Sequence, residues 1–226
     1  MTFPGDARVC AVMPQLTPAL LAQLKQNGPT DPIAYYRRPV IGWLFRERIN
    51  MGLRLLPQRR FRHALEVGYG AGAVLLACGD AVESLSGIDL DADPAPVHAL
   101  LASRGQRASL TQGSVYELPY ADRSFDLAVS FSVFEHLHEY ERALREVARV
   151  LEPGGLFLLG MPAVNKVMEL GFRAIGFKDI DDHHVTTPKT IAATFAQTGF
   201  RLRDKRILGV PALSLYFTWL LERSAP

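Results

Sequence analysis

Cysteine is scarce in this 226-residue chain, where only Cys10 and Cys78 occur. Two cysteines cannot build a disulfide framework, and their separation is unlike that of metal-ligating pairs. An excess of one charge is also lacking, because 25 basic and 23 acidic residues leave a net charge of +2. Such a balance argues against a nucleic-acid partner. We therefore expect a protein of a reducing compartment, with cytoplasmic localisation and no nucleic-acid partner.

Long apolar runs are missing as well. The longest stretch, Ile207 to Leu221, is interrupted by Pro211 and Ser214 and falls short of the roughly 20 residues that a membrane-spanning helix needs. The first residues, Met1 to Asp6, lack the basic and apolar regions of a secretory signal. Since 48% of the residues are hydrophobic, the composition predicts a soluble protein with a buried core.

The first 60 residues stand out by their arginine content. Between residues 37 and 62 the only acid is Glu47, among eight arginines: Arg37, Arg38, Arg46, Arg48, Arg54, Arg59, Arg60 and Arg62. Apolar residues at spacings of three and four from Val40 to Leu56 predict a basic amphipathic helix with Asn50 on its polar face. We interpret residues 1–60 as an N-terminal helical cap or lid. Contact of this helix with an anionic membrane surface and a plain solvated face both stay open.

From residue 61 onward the pattern changes to short apolar runs separated by helical stretches. The runs are Ala64 to Val67, Val82 to Ile88, Phe125 to Phe131 and Leu156 to Leu159. Strands that alternate with helices predict a mostly parallel sheet with helices on both sides. Phe200 to Leu208 and Leu213 to Leu220 then predict an antiparallel pair. The expected fold class is α/β: a Rossmann-like, mostly parallel sheet with an antiparallel final strand, formed by residues 61–226 behind the helical cap.

A glycine-rich turn joins the first predicted strand to the helix that follows. Gly68 to Ala73 satisfies the G-x-G-x-x-A dinucleotide pattern, and Asp89 follows 21 residues after Gly68, where an acid would bind a ribose. An NAD-dependent oxidoreductase is therefore one alternative. Glu66 favours a different ligand, because a carboxylate inside the strand suits a molecule that carries an ammonium group.

Four motifs together resemble the class I S-adenosylmethionine-dependent methyltransferases, in their small-molecule branch. They are LEVGYGAG, GIDLD, QGSVYELPYADRSFDLAVSFSVFEHL and RVLEPGGLFLL, and they stand in the order of that family. The resemblance covers roughly residues 61 to 200. It implies S-adenosylmethionine as cofactor, S-adenosylhomocysteine as product, and methyl transfer to an O, N or C nucleophile of a small molecule. A non-catalytic protein that only binds the cofactor is a second alternative.

The resemblance also implies a role for each motif residue. Glu66 would bind the methionine ammonium group, and Asp89 would bind both ribose hydroxyls. Leu90 would pack on the adenine, while Ser114 stands where the family usually has an acid that accepts from the adenine amino group. The remaining contacts would come from Gly68, Tyr69, Gly70, Gly72, Val115, Ser130 and Phe131.

His136 is the candidate catalytic residue. It follows the fourth strand, where the acceptor should approach, and an imidazole is suited to act as a general base near neutral pH. A histidine that only shapes the pocket is the alternative. His183 and His184 are adjacent in sequence, so their side chains should project in different directions, and we predict no metal site. The sequence indicates neither the acceptor nor the oligomeric state.

Overall fold

One sheet of seven strands forms the centre of the protein in the computed structural model, which describes residues 14–28, 31–163, 185–210 and 213–225. The strands are β1 (Phe61–Val67), β2 (Val82–Asp89), β3 (Ala108–Gln112), β4 (Phe125–Phe131), β5 (Leu151–Pro162), β6 (Phe200–Val210) and β7 (Leu213–Arg223). Their order across the sheet is β3-β2-β1-β4-β5-β7-β6. Helices connect β1 to β2, β2 to β3 and β4 to β5, as parallel neighbours require. The chain returns from the edge strand β3 to β4, beside β1, through residues 113–124, which contain no helix.

Most helices begin where the sequence carries a start signal. The helices are α1 (Pro18–Leu21), α2 (Ile33–Tyr36), α3 (Pro39–Leu53), α4 (Ala73–Cys78), α5 (Pro94–Ser103), α6 (Tyr140–Val150) and α7 (Pro188–Ala192). Four of them open on proline, which needs no hydrogen-bond partner at that position. Thr17, Asp93 and Thr187 precede three of these and accept a hydrogen bond from a backbone N–H of the first turn.

The strand directions confirm the predicted fold class. β1 pairs in parallel with β2 and β4, and the pairs β2–β3 and β4–β5 are parallel too. β7 runs antiparallel to both β5 and β6. The strand expected at Leu156 begins earlier, at Leu151. Its register against β4 shifts between Phe125 and Leu127, which lets the chain continue as a strand through the expected turn.

Helices cover both faces of the sheet, and each face has its own apolar cluster. On one face α3, α4 and α5 contribute buried side chains such as Ile49, Leu75 and Leu101. On the other face α6 and α7 contribute Val147 and Ile191. The carboxyl ends of the parallel strands lie at the sheet edge between these layers, where α/β proteins bind their ligands.

Helix α3 packs directly on the sheet. Phe45, Ile49 and Leu53 are buried in the same cluster as the strands. At Gly52 an added Cβ would come within 2.8 Å of Phe131 and Thr218, so this helix approaches the sheet as closely as a glycine allows. The amphipathic helix is thus a packing element. The division into a cap of residues 1–60 and a domain of residues 61–226 stays a prediction.

Asn50 corrects one detail of the helical pattern, since it is 4% exposed and does not lie on a polar face. Its side chain accepts a hydrogen bond from Leu16 N (2.7 Å) and donates one to Leu16 O (3.0 Å). A single amide group can satisfy both backbone groups of one distant residue. Periodicity along the helix does not reveal such a partner.

The C-terminal hairpin completes the sheet. β6 and β7 pair from Phe200 and Arg223 to Val210 and Leu213, as predicted for an antiparallel pair. β6 is the edge strand and is exposed over most of its length. Among the residues that the structure describes, none of the helices combines the length and apolar character that crossing a membrane requires.

Candidate active site

The turn after β1 is fixed by backbone contacts and open on one side. Gly68 N donates to Ile88 O at 2.7 Å, and Gly68 has φ +79° with Val133 Cγ2 only 2.2 Å from where a Cβ would lie. Only glycine meets both conditions. Gly70 has φ +47° and nothing within 4 Å of its would-be Cβ, and Gly72 then caps α4. The turn therefore presents bare backbone to the space beside it.

Asp89, the last residue of β2, braces this turn. Its Oδ2 accepts from Gly70 N at 2.9 Å, and its Oδ1 accepts from Asp91 N and Ala92 N, both at 2.9 Å. A carboxylate can accept about four hydrogen bonds, so these three amides leave about one acceptor position free. A ribose diol that donated to both oxygens of Asp89 would therefore displace one of the backbone amides. This bracing role is not visible in the sequence.

Glu66 lies near the end of β1 and is 4% exposed. Its Oε2 accepts from Leu75 N at 3.0 Å, in the first turn of α4. Burial raises the pKa of Glu66 well above its usual value; the hydrogen bond from Leu75 lowers it, and the negative charge of Asp89 adds to the rise. A cation placed next to such a buried acid would stabilise its ionised form and lower its pKa.

The candidate adenine side of the site combines one exposed leucine with a polar turn. Leu90 is 65% exposed directly after Asp89, and Gln112 Nε2 donates to Leu90 O at 3.0 Å. Ser114 Oγ accepts from Tyr116 N at 3.2 Å, so its own hydrogen is available to a ligand. Val115 is 7% exposed, with its side chain in the core. Leu90 and Ser114 are therefore the side chains able to meet a flat ring here.

Three predicted site residues turn their side chains inward. The Tyr69 hydroxyl donates to Ala92 O at 3.2 Å, and Ser130 Oγ donates to Val67 O at 2.9 Å. Phe131 is 8% exposed and packs in the core. Contact with a cofactor from Tyr69 or Ser130 would therefore come from the backbone.

Asn27, in the segment between α1 and α2, ties the N-terminal region to the glycine turn. Its Nδ2 donates to Gly70 O and Asp93 O, both at 2.9 Å, and its Oδ1 accepts from Asp93 N at 3.2 Å. The residue is 9% exposed. The turn is thus held from both sides before any ligand arrives. Sequence analysis missed Asn27, because an asparagine between prolines is an ordinary loop residue.

A second polar cluster lies just past β4. Ser132 has φ +58°, a conformation that is uncommon outside glycine and is found at functional sites. Its Oγ accepts from Arg48 Nη1 at 3.1 Å and lies 2.9 Å from the Tyr216 hydroxyl. The Arg48 guanidinium lies over the ring of Phe45 at 4.3 Å and faces that of Tyr216 at 5.2 Å. Arg48 was grouped with the other arginines by sequence, yet it points into the molecule.

Glu135 completes this cluster and is 1% exposed. Burial raises its pKa to about 8, although a hydrogen bond from its own backbone amide, the charge of Arg48 and a hydrogen bond from Ser132 act in the opposite direction. Its Oε2 has no hydrogen-bond partner among the described residues. The carboxylic acid form therefore predominates at neutral pH.

His136, the candidate base, lies beside this acid. Its side chain is 47% exposed, and its Nε2 is 3.9 Å from Glu135 Oε1. Val185 N and Thr186 N both donate to Glu135 O, at 2.8 and 3.1 Å, which secures the turn. Sequence analysis named His136 alone. The neighbouring Glu135 was visible in the motif, but its burial cannot be read from the sequence.

Some predictions fall outside the described residues. These are the ones for Cys10, His183 and His184, and for most of the segment from Met161 to His184, which was expected to shape the acceptor pocket. Within the described ranges, no three histidine, cysteine, aspartate or glutamate side chains are close enough together to hold a metal ion.

A comparison with protein families matches residues 65–159 to a family described as methyltransferase domain. The match begins one residue before Glu66 and ends inside β5. It thus spans the glycine turn, Asp89 and the turn after β4, which form the candidate site.

Two relatives show how far the similarity extends. The chain is 39% identical over 111 residues to the probable S-adenosylmethionine-dependent methyltransferase Rv3030 of Mycobacterium tuberculosis, covering 48% of this chain and 39% of that protein. It is 29% identical over 107 residues to ajmaline N-methyltransferase of Rauvolfia serpentina, covering 46% of this chain and 37% of the relative. The chain therefore spans less than half the length of these two relatives.

Among solved structures, the [4+2]-cyclase SpnF is similar with a TM-score of 0.67 over 89% of this chain and 87% of that one. The two chains are 16% identical. A likeness at this level concerns the fold, and it supports the Rossmann-like architecture described above.

Proposed function

We propose that this chain, whose residues 65–159 match a methyltransferase domain, is a class I S-adenosylmethionine-dependent methyltransferase. It would transfer the methyl group of S-adenosylmethionine to an oxygen, nitrogen or carbon nucleophile of a small molecule. The observation that carries this proposal is that two acids, Glu66 and Asp89, flank one open glycine turn inside the matched residues. The cofactor has an ammonium group at one end of its amino-acid part and a ribose diol near its centre. The two acids suit these two groups.

The residues present fit this cofactor. The open side at Gly70 leaves room for a ligand against the backbone of the turn. The buried carboxyl of Glu66 would bind the ammonium group, directly or through water. Burial disfavours the ionised carboxylate and so raises the pKa of Glu66, and a cation beside it would favour the ionised form again. Asp89 Oδ2, which accepts one amide, would bind one ribose hydroxyl. The second hydroxyl would replace an amide at Oδ1.

The adenine would lie against Leu90, whose side chain is 65% exposed. Ser114 stands where the family usually has an acid, and its Oγ already accepts from Tyr116 N. A hydroxyl accepts from an amino group less strongly than a carboxylate does. We therefore expect Ser114 to donate to a ring nitrogen. Val115, Ser130 and Phe131 would contribute through backbone contacts and through the shape of the pocket floor.

The cofactor, when bound, supplies a methyl group on a sulfonium that is already activated for displacement. The task left to this chain is to hold the acceptor in line with that bond, and such orientation contributes about 7–11 kcal/mol. His136 would take the proton that the acceptor loses, which is worth about 10²–10⁴-fold in rate. An acceptor that is already ionised needs no base.

A small molecule as the acceptor is supported by ajmaline N-methyltransferase, whose name specifies a small acceptor. It is also supported by the near-neutral charge of the chain, which does not favour nucleic acid. Aromatic rings of Tyr36, Phe45 and Tyr216 surround Arg48 at the end of the sheet where the acceptor would approach.

A thermal-shift comparison tests the cofactor. S-adenosylhomocysteine should raise the melting temperature of the protein, and NADH should not. If NADH stabilises the protein and S-adenosylhomocysteine does not, the chain is an oxidoreductase and the proposal fails. Incubation with methyl-labelled S-adenosylmethionine and a metabolite extract then tests the transfer, which should give a labelled small molecule.

A binder without methyl transfer is the second candidate. It is favoured by one observation, the likeness in fold to a protein named as a [4+2]-cyclase, because a shared fold does not determine the reaction. Tight binding of S-adenosylhomocysteine together with no labelled product in the extract would support this candidate over methyl transfer.

A further inference from the structure

Arg48 is a cation in the proposed acceptor region to which neither the sequence motifs nor the proposed cofactor contacts assign a role. We propose that its guanidinium group binds a carboxylate of the methyl acceptor, so that the acceptors are small organic acids methylated at another atom. This inference rests on the proposed function, since it names the class of acceptor. It starts from a guanidinium group that is bonded at one nitrogen and unpaired at another.

The contacts of Arg48 hold its guanidinium group in one orientation. Nη1 donates to Ser132 Oγ at 3.1 Å, and the group lies over the ring of Phe45 at 4.3 Å. Nε is buried and has no hydrogen-bond partner within the described ranges, which is costly for a donor. Nε and the adjacent Nη2 form an edge that can donate to both oxygens of one carboxylate. A carboxylate would therefore satisfy the unpaired donor.

The charge of Arg48 is not balanced by an ionised acid at neutral pH. A guanidinium group keeps its proton in proteins. In the described part of the chain, the acid that acts on Arg48 is Glu135, and burial raises the pKa of Glu135 to about 8. Burial also raises the pKa of Tyr36 and Tyr216 beside it, so both phenols stay neutral. A negatively charged ligand would supply the counter-charge that these neighbours do not.

Glu135 offers a second donor on the other side of Ser132. The Ser132 side chain bonds to the Glu135 carboxyl, and Glu135 Oε2 is buried without a hydrogen-bond partner among the described residues. In its acid form this carboxyl has one O–H donor. Arg48 and Glu135 thus flank Ser132 with unpaired polar atoms. An ionised carboxylate only accepts hydrogen bonds, so it matches donors on both sides.

The position of this cluster agrees with an acceptor site. Ser132 follows β4 directly, and the next residue is Val133, whose Cγ2 lies 2.2 Å from where a Cβ of Gly68 would be. The cluster is therefore next to the glycine turn, at the carboxyl ends of the parallel strands. Arg48 and Ser132 are both partly exposed. A ligand can reach them from the side on which the cofactor would lie.

A single cation favours a single negative charge. Arg48 is the permanent cation that the described structure brings to both Glu135 and Tyr216. A carboxylate has one negative charge, whereas a phosphate monoester has about −1.5 to −2 near pH 7. A carboxylate therefore balances the site, and a phosphate would leave an excess of negative charge beside Glu135.

The carboxylate takes no part in the bond changes. The acceptor X–H becomes X–CH₃, the S–CH₃ bond breaks with its electron pair kept by sulfur, and the proton passes to His136 or to water. The products are S-adenosylhomocysteine and a methylated acid whose carboxylate is still bound to Arg48. No further reactant is needed.

The test is an NMR titration that follows the arginine Nε–H signals, with the Arg48 signal assigned by its loss in Arg48→Lys. Benzoate is the probe, because its ring can pack against Phe45 and Tyr216, and benzamide is its neutral counterpart. Benzoate should shift the Arg48 signal along a saturable curve, and benzamide should not.

The variants are followed through the backbone amide of Ser132. Arg48→Gln should bind benzoate about tenfold more weakly than the wild type, because a charged hydrogen-bond donor is lost. Arg48→Lys keeps the charge without the two-donor edge, so its affinity should lie between the two, which a merely structural role would not predict. Arg48→Lys also serves as the test if Arg48→Gln fails to fold.

The matched control is Arg46→Gln, which removes an arginine two residues earlier on the same helix. It should bind benzoate as the wild type does. The inference is overturned if benzoate gives no saturable shift, if benzamide shifts the signal equally, or if Arg46→Gln weakens binding as much as Arg48→Gln. Tighter binding of inorganic phosphate than of benzoate would overturn the assignment to a carboxylate.

The thermal shift with S-adenosylhomocysteine separates this inference from the proposed function, because the titration needs neither cofactor nor methyl transfer. Stabilisation by S-adenosylhomocysteine without a benzoate shift would overturn the inference and leave the proposed function intact. Benzoate binding at Arg48 in a protein that S-adenosylhomocysteine does not stabilise would refute the proposed function and support the carboxylate site.

Discussion

The turn after β1 and the turn after β4 each hold a buried glutamate, and they hold it by different means. Glu66 is bonded by a backbone amide, that of Leu75, nine residues further along the chain. Glu135 is bonded by its own backbone amide and by a side chain, that of Ser132, and Ser132 in turn contacts Arg48 and Tyr216 from distant elements. Both acids have a raised pKa caused first by burial.

The difference separates the two halves of the site. Around Glu66 and Asp89 the acids brace the backbone, so the cofactor region is built from local chain geometry. Around Glu135 the contacts come from α3, from the turn after β4 and from β7, so the proposed acceptor region depends on how those elements pack. The first region is held by backbone contacts. Substitution of a few side chains can change the second without altering the turn that is proposed to bind the cofactor.

The largest expected effect concerns Glu135 and the pH dependence of stability. Its pKa is 4.5 ordinarily and about 8 in the folded protein. Between these values the unfolded chain has released the proton that the native protein retains, so the free energy of unfolding falls as pH rises and levels off above about pH 8. From pH 5 to pH 8 this loss amounts to about 4 kcal/mol.

Glu135→Gln removes that loss. Urea denaturation at pH 5, 6, 7 and 8 should show the variant gaining about 4 kcal/mol relative to the wild type across the series. Glu139→Gln is the control and should give a constant difference. A difference between Glu135→Gln and the wild type that does not change with pH would mean that Glu135 is ionised in the folded protein at pH 5.

The second effect concerns cofactor affinity and should separate the two acids. Glu66→Gln keeps an oxygen for Leu75 N but loses the charge that faces the ammonium group. We expect the affinity for S-adenosylhomocysteine in titration calorimetry to fall by about 2–3 kcal/mol. Glu135→Gln, which lies outside the cofactor region, should bind it as the wild type does. Equal losses in both variants would contradict the division into two regions.

The third effect tests the bracing by Asp89. Asp89→Asn keeps one oxygen for the amides and loses the charge, so its affinity for S-adenosylhomocysteine should fall by about 1.5 kcal/mol. Asp89→Ala also frees the amides of Gly70, Asp91 and Ala92, so it should bind more weakly than Asp89→Asn and unfold at lower temperature. If the alanine variant melts like the wild type, Asp89 does not brace the turn.

Much of the fold was predictable from the sequence, because its signals are local. Phe125–Phe131 is an apolar run of strand length and became β4. The antiparallel hairpin followed from two runs separated by a short glycine-containing stretch. What local patterns cannot show is a partner from another element. Asn50 was therefore placed on the polar face of its helix, although its partner is Leu16.

The candidate site divides in the same way. Glu66, the glycine turn and Asp89 lie within 24 residues, so the sequence could group them, and the resemblance to a known family implied an ammonium group and a ribose diol as their ligands. Ser132 lies 84 residues after Arg48, and Tyr216 lies another 84 residues further on. No motif with a fixed spacing connects residues so far apart in sequence. Burial, which decides the state of Glu135, is a property of the packed structure. The contacts that join Arg48, Ser132 and Glu135 were accordingly not predicted, and neither was Asn27 beside the glycine turn, whose partners also lie far away in sequence.

The smallest expected effect is a proton exchange that accompanies binding at the first of the two turns. Burial raises the pKa of Glu66 in the free protein, and an ammonium group placed beside it would lower that pKa again. S-adenosylhomocysteine, whose amino group is already charged at pH 7, should therefore release a fraction of a proton on binding. Calorimetry in phosphate and in Tris should then give different binding enthalpies in the wild type and equal ones in Glu66→Gln. Buffer-independent enthalpies in the wild type would place the ammonium group away from Glu66, whereas a buffer dependence lost in Glu135→Gln instead would assign the proton to the other turn.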